Sequence, residues 1–295
     1  MKTPVFTGSC TAMITPFCQD GLDLERMAEL LEYQVQGGTQ AVVFAGTTGE
    51  NAVLTQAEFE ALVEFSIAHT AGRMKTIVGI GGNDTAKCLE KARFSVRSGA
   101  DAVLMTPPYY NKTTQKGVQR HYLTVADAVE IPLILYNVPG RTVLGISPES
   151  YKALSRHPNI NGVKEASGDF TLISWLTTEC AQSLHLWCGN DDQTIPMMAL
   201  GALGVISVAS NVLPAEVAEL CSLCRSNDYS AARAHFARFA EFYRLLFTET
   251  NPIPVKAALR LAGRDSGQLR LPLLDLTAGN LEMLRASMKR LGILR

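Results

Sequence analysis

Short, mostly apolar segments alternate with longer amphipathic ones over about the first 225 residues of the chain. Strand-like runs lie at Cys10–Thr15, Ala41–Ala45, Lys75–Ile80, Ala102–Thr106, Leu133–Val138, Gly162–Ala166, Leu184–Cys188 and Gly204–Ala209. A run such as Thr76-Ile77-Val78-Gly79-Ile80 is nearly continuous rather than alternating, as a parallel strand covered on both faces should be. The stretches between carry helical spacing, so the order is that of repeated βα units. Eight such units predict an α/β fold, a (β/α)₈ TIM barrel of ordinary single-domain size. Periodicity by itself admits about six to nine strands.

Helix signals agree with this order. Thr55 stands three residues before Glu58, a capping-box pattern opening a helix over Phe59–Ala68. Ser147-Pro148-Glu149 places a proline at the first helical position. After Asn227-Asp228 the period becomes helical throughout, over Tyr229–Phe247, Pro254–Leu261 and Ala278–Leu291. The expected organisation is therefore a barrel over residues 1–225 carrying the active site. A C-terminal helical extension over 226–295 packs on the barrel or on a partner chain.

Four strand ends carry chemistry. Lys164 interrupts the otherwise strand-like Ile160-Asn161-Gly162-Val163-Lys164-Glu165-Ala166. A lysine at such a place either extends its head into water or is desolvated. Desolvation favours the neutral amine, a nucleophile whose natural partner is a carbonyl. One strand earlier, Leu133-Ile134-Leu135-Tyr136 runs into a Pro139-Gly140 turn, with Arg141 in the loop beyond. Gly46-Thr47-Thr48-Gly49-Glu50 follows another apolar run and reads as a hydroxyl-rich turn or a helix N-cap. Thr106-Pro107-Pro108-Tyr109-Tyr110 ends a fourth. Each feature alone is weak, because a strand-end tyrosine is usually packing. Together they sit where barrel enzymes place their chemistry, at the C-terminal strand ends.

Composition narrows the alternatives. Of 295 residues, 47% are hydrophobic and 19% charged, which suits a globular protein with a substantial core. A net charge of −1 without charge blocks gives no field for nucleic acid. The N-terminus shows no signal-peptide pattern, and no run approaches the length of a spanning helix. A cytoplasmic location with no membrane partner is expected. The seven cysteines suggest no disulfide framework. Cys221 and Cys224 form a lone CxxC inside an apparent helix, where core packing is the stronger reading. The five histidines lack ligand spacing, so no metal and no cofactor are expected. The acidic pair after Gly189-Asn190, namely Asp191-Asp192, disfavours a phosphorylated substrate.

Tyr136-Asn137-Val138-Pro139-Gly140-Arg141-Thr142 followed by Gly162-Val163-Lys164-Glu165-Ala166-Ser167, with GTTGEN and TPPYYNK upstream, resembles the dihydrodipicolinate synthase group of the pyruvate-dependent lyases. The resemblance runs from about Thr7 to the C-terminus and includes Asn251-Pro252-Ile253-Pro254-Val255-Lys256. It implies that Lys164 forms a Schiff base with pyruvate and that Tyr136 shuttles protons. Thr47 would link Tyr136 to Tyr110, the latter supplied by a neighbouring subunit. It further implies that Thr48 holds the pyruvate carboxylate, and that Arg141 takes the carboxylate of the second substrate, L-aspartate 4-semialdehyde. The backbone at Gly189 and Ile206 would line the imine site. A homotetramer, a dimer of dimers, comes with the resemblance. An N-acetylneuraminate lyase or a 2-keto-3-deoxy sugar-acid aldolase would share the pyruvate half-reaction. Thr47, in place of the serine of the GSTGE seen in sialate lyases, and Arg141 favour the synthase.

One departure concerns regulation. Lysine-inhibited members of the group carry His where this chain has Gln56 and Phe59, and Glu where it has Lys87. Asn83 and Tyr109 match, so a pocket is expected with its charge logic altered.

Overall fold

The computed structural model describes residues 2–294. Eight strands run parallel: β1 (Gly8–Ala12), β2 (Ala41–Phe44), β3 (Lys75–Gly79), β4 (Ala102–Met105), β5 (Leu133–Asn137), β6 (Ile160–Glu165), β7 (His185–Cys188) and β8 (Gly204–Ser207). Each pairs with its sequence neighbour, and β1 pairs with both β2 and β8, closing the barrel. All eight expected strands are present. The first lies earlier than expected, because the chain leaves the ladder at Ile14, one residue after a last bond to β2. The Met13 N–H donates to Val43 O at 3.0 Å, and the Ile14 N–H to the Asn211 side chain at 3.1 Å. Their apolar side chains are still buried, so hydropathy alone extends the strand too far. A two-rung antiparallel hairpin, Phe17–Cys18 with Gly21–Leu22, is too short to leave a periodic signal.

The period of two along each strand divides the interior into two cores. Ile134 and Tyr136 of β5, Trp187 of β7 and Ile206 of β8 belong to a cluster with Cys10, Val43 and Leu104. Leu133, Leu135 and Val163 join the larger cluster packed with the surrounding helices. The register pairs Ile134 with Gly162 and Tyr136 with Lys164, and Lys164 in turn with Trp187. Lys164 thus shares the parity of the barrel-interior set. Below it, Phe6 stacks on Trp187 with ring centroids 5.1 Å apart, and the Trp187 indole N–H donates to Phe6 O.

The helix Gln56–Thr70 opens on the expected capping box between Thr55 and Glu58. Ser147 caps a helix with Pro148 in its first turn. The Pro139-Gly140 segment is a correction: Pro139–Thr142 is one helical turn rather than an open loop. A proline has its φ preset for such a start and lacks the N–H that would go unpaired there. After residue 226 come helices Tyr229–Leu245, Ile253–Leu261 and Ala278–Arg290, the first packed on Pro214–Arg225 and on the last. Cys221 and Cys224 are buried and unpaired within Pro214–Arg225. Among the described residues no helix is long and apolar enough to cross a membrane.

Candidate active site

Lys164 and Tyr136 are direct neighbours across β5 and β6. Both are buried, and the Lys164 amine lies 4.3 Å from the Tyr136 ring centroid. The amine forms no ion pair among the described residues, which leaves it unclaimed by a carboxylate. Gly189 makes room for it. A Cβ there would lie 2.7 Å from Ala166 Cβ, 3.0 Å from Glu165 O and 3.2 Å from Lys164 Cε. Any side chain at 189 would push the lysine off its line. Ile206 pairs with Cys10 deeper in the barrel, where burial pushes the Cys10 thiol up while the Lys164 charge pulls it back.

Asp191 follows closely after Gly189 and turns inward. It is buried and accepts from Ser207 Oγ, from the Val208 N–H at 3.0 Å and from the Ala209 N–H at 3.1 Å. Burial raises its carboxyl above the usual range, while these hydrogen bonds and the Lys164 charge act the other way. Half of the acidic pair read as facing a ligand is therefore internal scaffolding. Next along β6, Glu165 points to the opposite side. It accepts from Asn137 Nδ2, Tyr151 OH and the Ser167 N–H, which partly offset a carboxyl raised by burial.

The turn after β2 is built by close approach. Ala45 has φ 49, and a Cβ on Gly79 would meet Ala45 O at 2.3 Å, so only glycine fits beneath the turn. Thr47 faces the opening, whereas Thr48 is 2% exposed and accepts from Asn251 Nδ2 at 2.9 Å. Asn251 also accepts through its backbone carbonyl, from Arg141 Nη2 at 3.2 Å. Glu50, with φ 53, pairs with the Lys256 ammonium at 2.5 Å, and both side chains are essentially inaccessible. Lys256 donates to Gln268 O at 2.8 Å and stands 4.2 Å from the Phe17 ring centroid. Burial depresses the Lys256 pKa and the Glu50 charge raises it. The Arg270 N–H reaches the second Glu50 oxygen at 3.2 Å, and its guanidinium clasps Glu58 through two nitrogens.

These elements enclose a cavity of about 320 Å³. Of the expected residues, Thr47, Tyr136 and Arg141 line it. Lys164, Thr48, Gly189 and Ile206 do not; Lys164 abuts Tyr136, and Thr48 follows Thr47 in the chain. Tyr110 is not brought in: it is 94% exposed, with φ 66, while Tyr109 lines the wall. Sequence reasoning missed the roles of Asn51, Thr106, Arg270, Pro272 and Leu273 in the wall, and of Asn251 behind it. One signal was available: Lys256 is a charge within the otherwise apolar start of the helix Ile253–Leu261. Among the described residues no His, Cys, Asp and Glu group has metal-holding geometry. A phenol, hydroxyls and a guanidinium around one cavity, with an unpaired amine against the phenol ring, suit imine chemistry on an anionic carbonyl compound.

Comparison with known proteins places this site in context. The family model for the dihydrodipicolinate synthetase family matches residues 5–291. A 4-hydroxy-tetrahydrodipicolinate synthase of Thermoanaerobacter sp. (strain X514) is 44% identical over 293 residues, 99% of each chain. The crystal structure of dihydrodipicolinate synthase from Aquifex aeolicus superposes with a TM-score of 0.96 at 41% identity, covering 98% of this chain and 99% of that one. The chloride-inhibited synthase from Acinetobacter baumannii, complexed with pyruvate, gives 0.95 at 38% identity, again covering 98% and 99%.

The Glu58–Arg270 clasp, which fixes one wall of the cavity, carries a pH signature. Its hydrogen bonds from Arg270 hold the Glu58 carboxyl down at about 2. A carboxyl depressed in the folded state stabilises fully above its unfolded value of about 4.3, and that contribution is lost as pH falls towards the folded value. Denaturant titrations of the wild type and Glu58→Gln should differ by a constant gap near neutrality, narrowing steadily below about pH 4.5. A gap that widens on acidification would contradict the assignment.

Proposed function

The chain belongs to the dihydrodipicolinate synthetase family and condenses pyruvate with L-aspartate 4-semialdehyde to 4-hydroxy-tetrahydrodipicolinate, in diaminopimelate and lysine biosynthesis; we propose that it does so through a Schiff base on Lys164. The observation that carries this reading is the buried, ion-pair-free Lys164 amine 4.3 Å from the Tyr136 ring centroid, beside the cavity. The amine adds to the pyruvate keto carbon, water leaves, and the imine loses a methyl proton to become an enamine. That carbon then attacks the aldehyde, and ring closure follows. Tyr136 moves the protons, since a phenol donates and accepts on one atom. Thr47 relays to Tyr110, Thr48 holds the pyruvate carboxylate, and Arg141 at the rim takes the carboxylate of the second substrate. The backbone at Gly189 and Ile206 lines the imine.

The same reading gives Tyr110 to a neighbouring subunit of a cytoplasmic homotetramer. In its support, an aromatic side chain 94% exposed on a positive-φ backbone is poorly placed for its own site and well placed to reach another. The altered effector site fits the reading too. Gln56 is exposed and donates to Glu60, and Phe59 is fully buried against Phe94, so neither offers an ionisable group there. Lys91 donates to Asn51 Oδ1 at 2.8 Å one helical turn beyond the exposed Lys87.

Three outcomes are expected. Borohydride reduction in the presence of pyruvate should add a pyruvyl mass to the peptide bearing Lys164, and Lys164→Ala should abolish it; label on another residue refutes the assignment. Inactive Tyr110→Phe and inactive Lys164→Ala chains, mixed into hybrid oligomers, should recover part of the activity. No recovery in hybrids verified by mass would count against a shared site. L-Lysine titrated to millimolar levels should inhibit weakly or not at all. Two like charges about 4 Å apart repel by roughly 1–4 kcal/mol, enough for a ten-fold loss of affinity or more. Strong saturable inhibition would overturn that.

A further inference from the structure

We infer that Asn251, from the C-terminal region, is a positioning residue that turns the Thr48 hydroxyl into a hydrogen-bond donor for the pyruvate carboxylate. This rests on the assignment of Thr48 proposed above. The Asn251 carboxamide donates through Nδ2 to Thr48 Oγ1 at 2.9 Å, and both residues are buried. An amide N–H can only donate, so Thr48 accepts. Its single hydrogen has no acceptor among the described residues and is left for an outside partner. A carboxylate is the matching partner, because it only accepts.

The carboxamide is held this way at a cost. Among the described residues, Asn251 Oδ1 is buried without a hydrogen-bond partner. Rotating the amide would let that oxygen take the Thr48 hydrogen, and the hydroxyl would then present only lone pairs to an anion. The orientation that leaves the oxygen unpaired is the one that serves a carboxylate. Asn251 also tethers Arg141 through its backbone carbonyl, which survives any side-chain substitution. The two contacts of one residue are therefore separable by mutation.

The test is steady-state kinetics with each substrate varied, alongside melting curves, for Thr48→Val, Asn251→Ala, Asn251→Asp and the Thr48→Val/Asn251→Ala pair. Thr48→Val should raise the pyruvate KM about ten-fold, roughly the loss of one hydrogen bond to a charged group. Asn251→Ala should raise it by a similar factor, with the KM for L-aspartate 4-semialdehyde little changed. Asn251→Asp, nearly isosteric, should be worse than alanine, since a carboxylate takes the Thr48 hydrogen and repels the substrate. The double variant should be no worse than Thr48→Val. If Thr48→Val leaves the pyruvate KM unchanged, the Thr48 assignment itself fails and the inference with it. If Thr48→Val raises that KM but Asn251→Ala does not, the inference alone fails. It also fails if aspartate restores binding better than alanine, the ranking a purely structural role predicts. Should Asn251→Ala not fold, the aspartate variant against the wild type decides the point by the same sign.

Discussion

A carboxylate and an ammonium, both shut away from water, hold the catalytic end of the barrel together: Glu50 and Lys256. Such a pair is expensive to desolvate, and its attraction offsets the cost only when the remaining hydrogen-bonding capacity is satisfied. Here Gln268 O takes a second ammonium hydrogen, the Arg270 N–H meets the other Glu50 oxygen, and Phe17 presents its face to both cations. Removal of one partner from such a pair costs about 3–5 kcal/mol, a large share of the stability of an ordinary domain. What the pair joins matters more than its net energy. Glu50 belongs to the turn that presents Thr47 and Thr48, and Lys256 belongs to the helix whose flanks supply Asn251 and Arg270.

Most of the barrel was legible because its signal is local. A buried parallel strand is a short apolar run, and eight of these separated by helical spacing leave little choice of topology. Lys164 stood out for the same reason: a charge in such a run has few explanations. The errors are also local in origin. Ile14 is as apolar as a strand residue yet bonds to the Asn211 side chain outside the ladder, and Pro139-Gly140 carries a turn signature inside a helical turn. What stayed hidden depends on contacts between residues far apart in the chain. Asn251 meets Thr48, and Arg270 meets Glu58, across about two hundred residues, and no spacing rule encodes such pairs. Tyr109 and Tyr110 illustrate a finer limit, since one backbone reversal at φ 66 decides which of two adjacent phenols faces the cavity.

The interior around Lys164 combines aromatic packing with one buried carboxyl. Around it lie the Phe6–Trp187 stack and Cys10. Beside Gly189, the buried Asp191 carboxyl is held by Ser207, Val208 and Ala209. The Lys164 amine forms no ion pair with it among the described residues, although its charge acts on that carboxyl.

The cavity wall combines residues 45–53 near the start of the chain with residues 270–273 near its end. A chain emerging from the ribosome can pair all eight strands once Ser207 is out, well before Asn251, Lys256 or Arg270 exists. Folding of the scaffold and completion of the site are thus separated in time by the last helices. A C-terminally clipped chain would keep the eight strands but lose the residues that close this wall of the cavity.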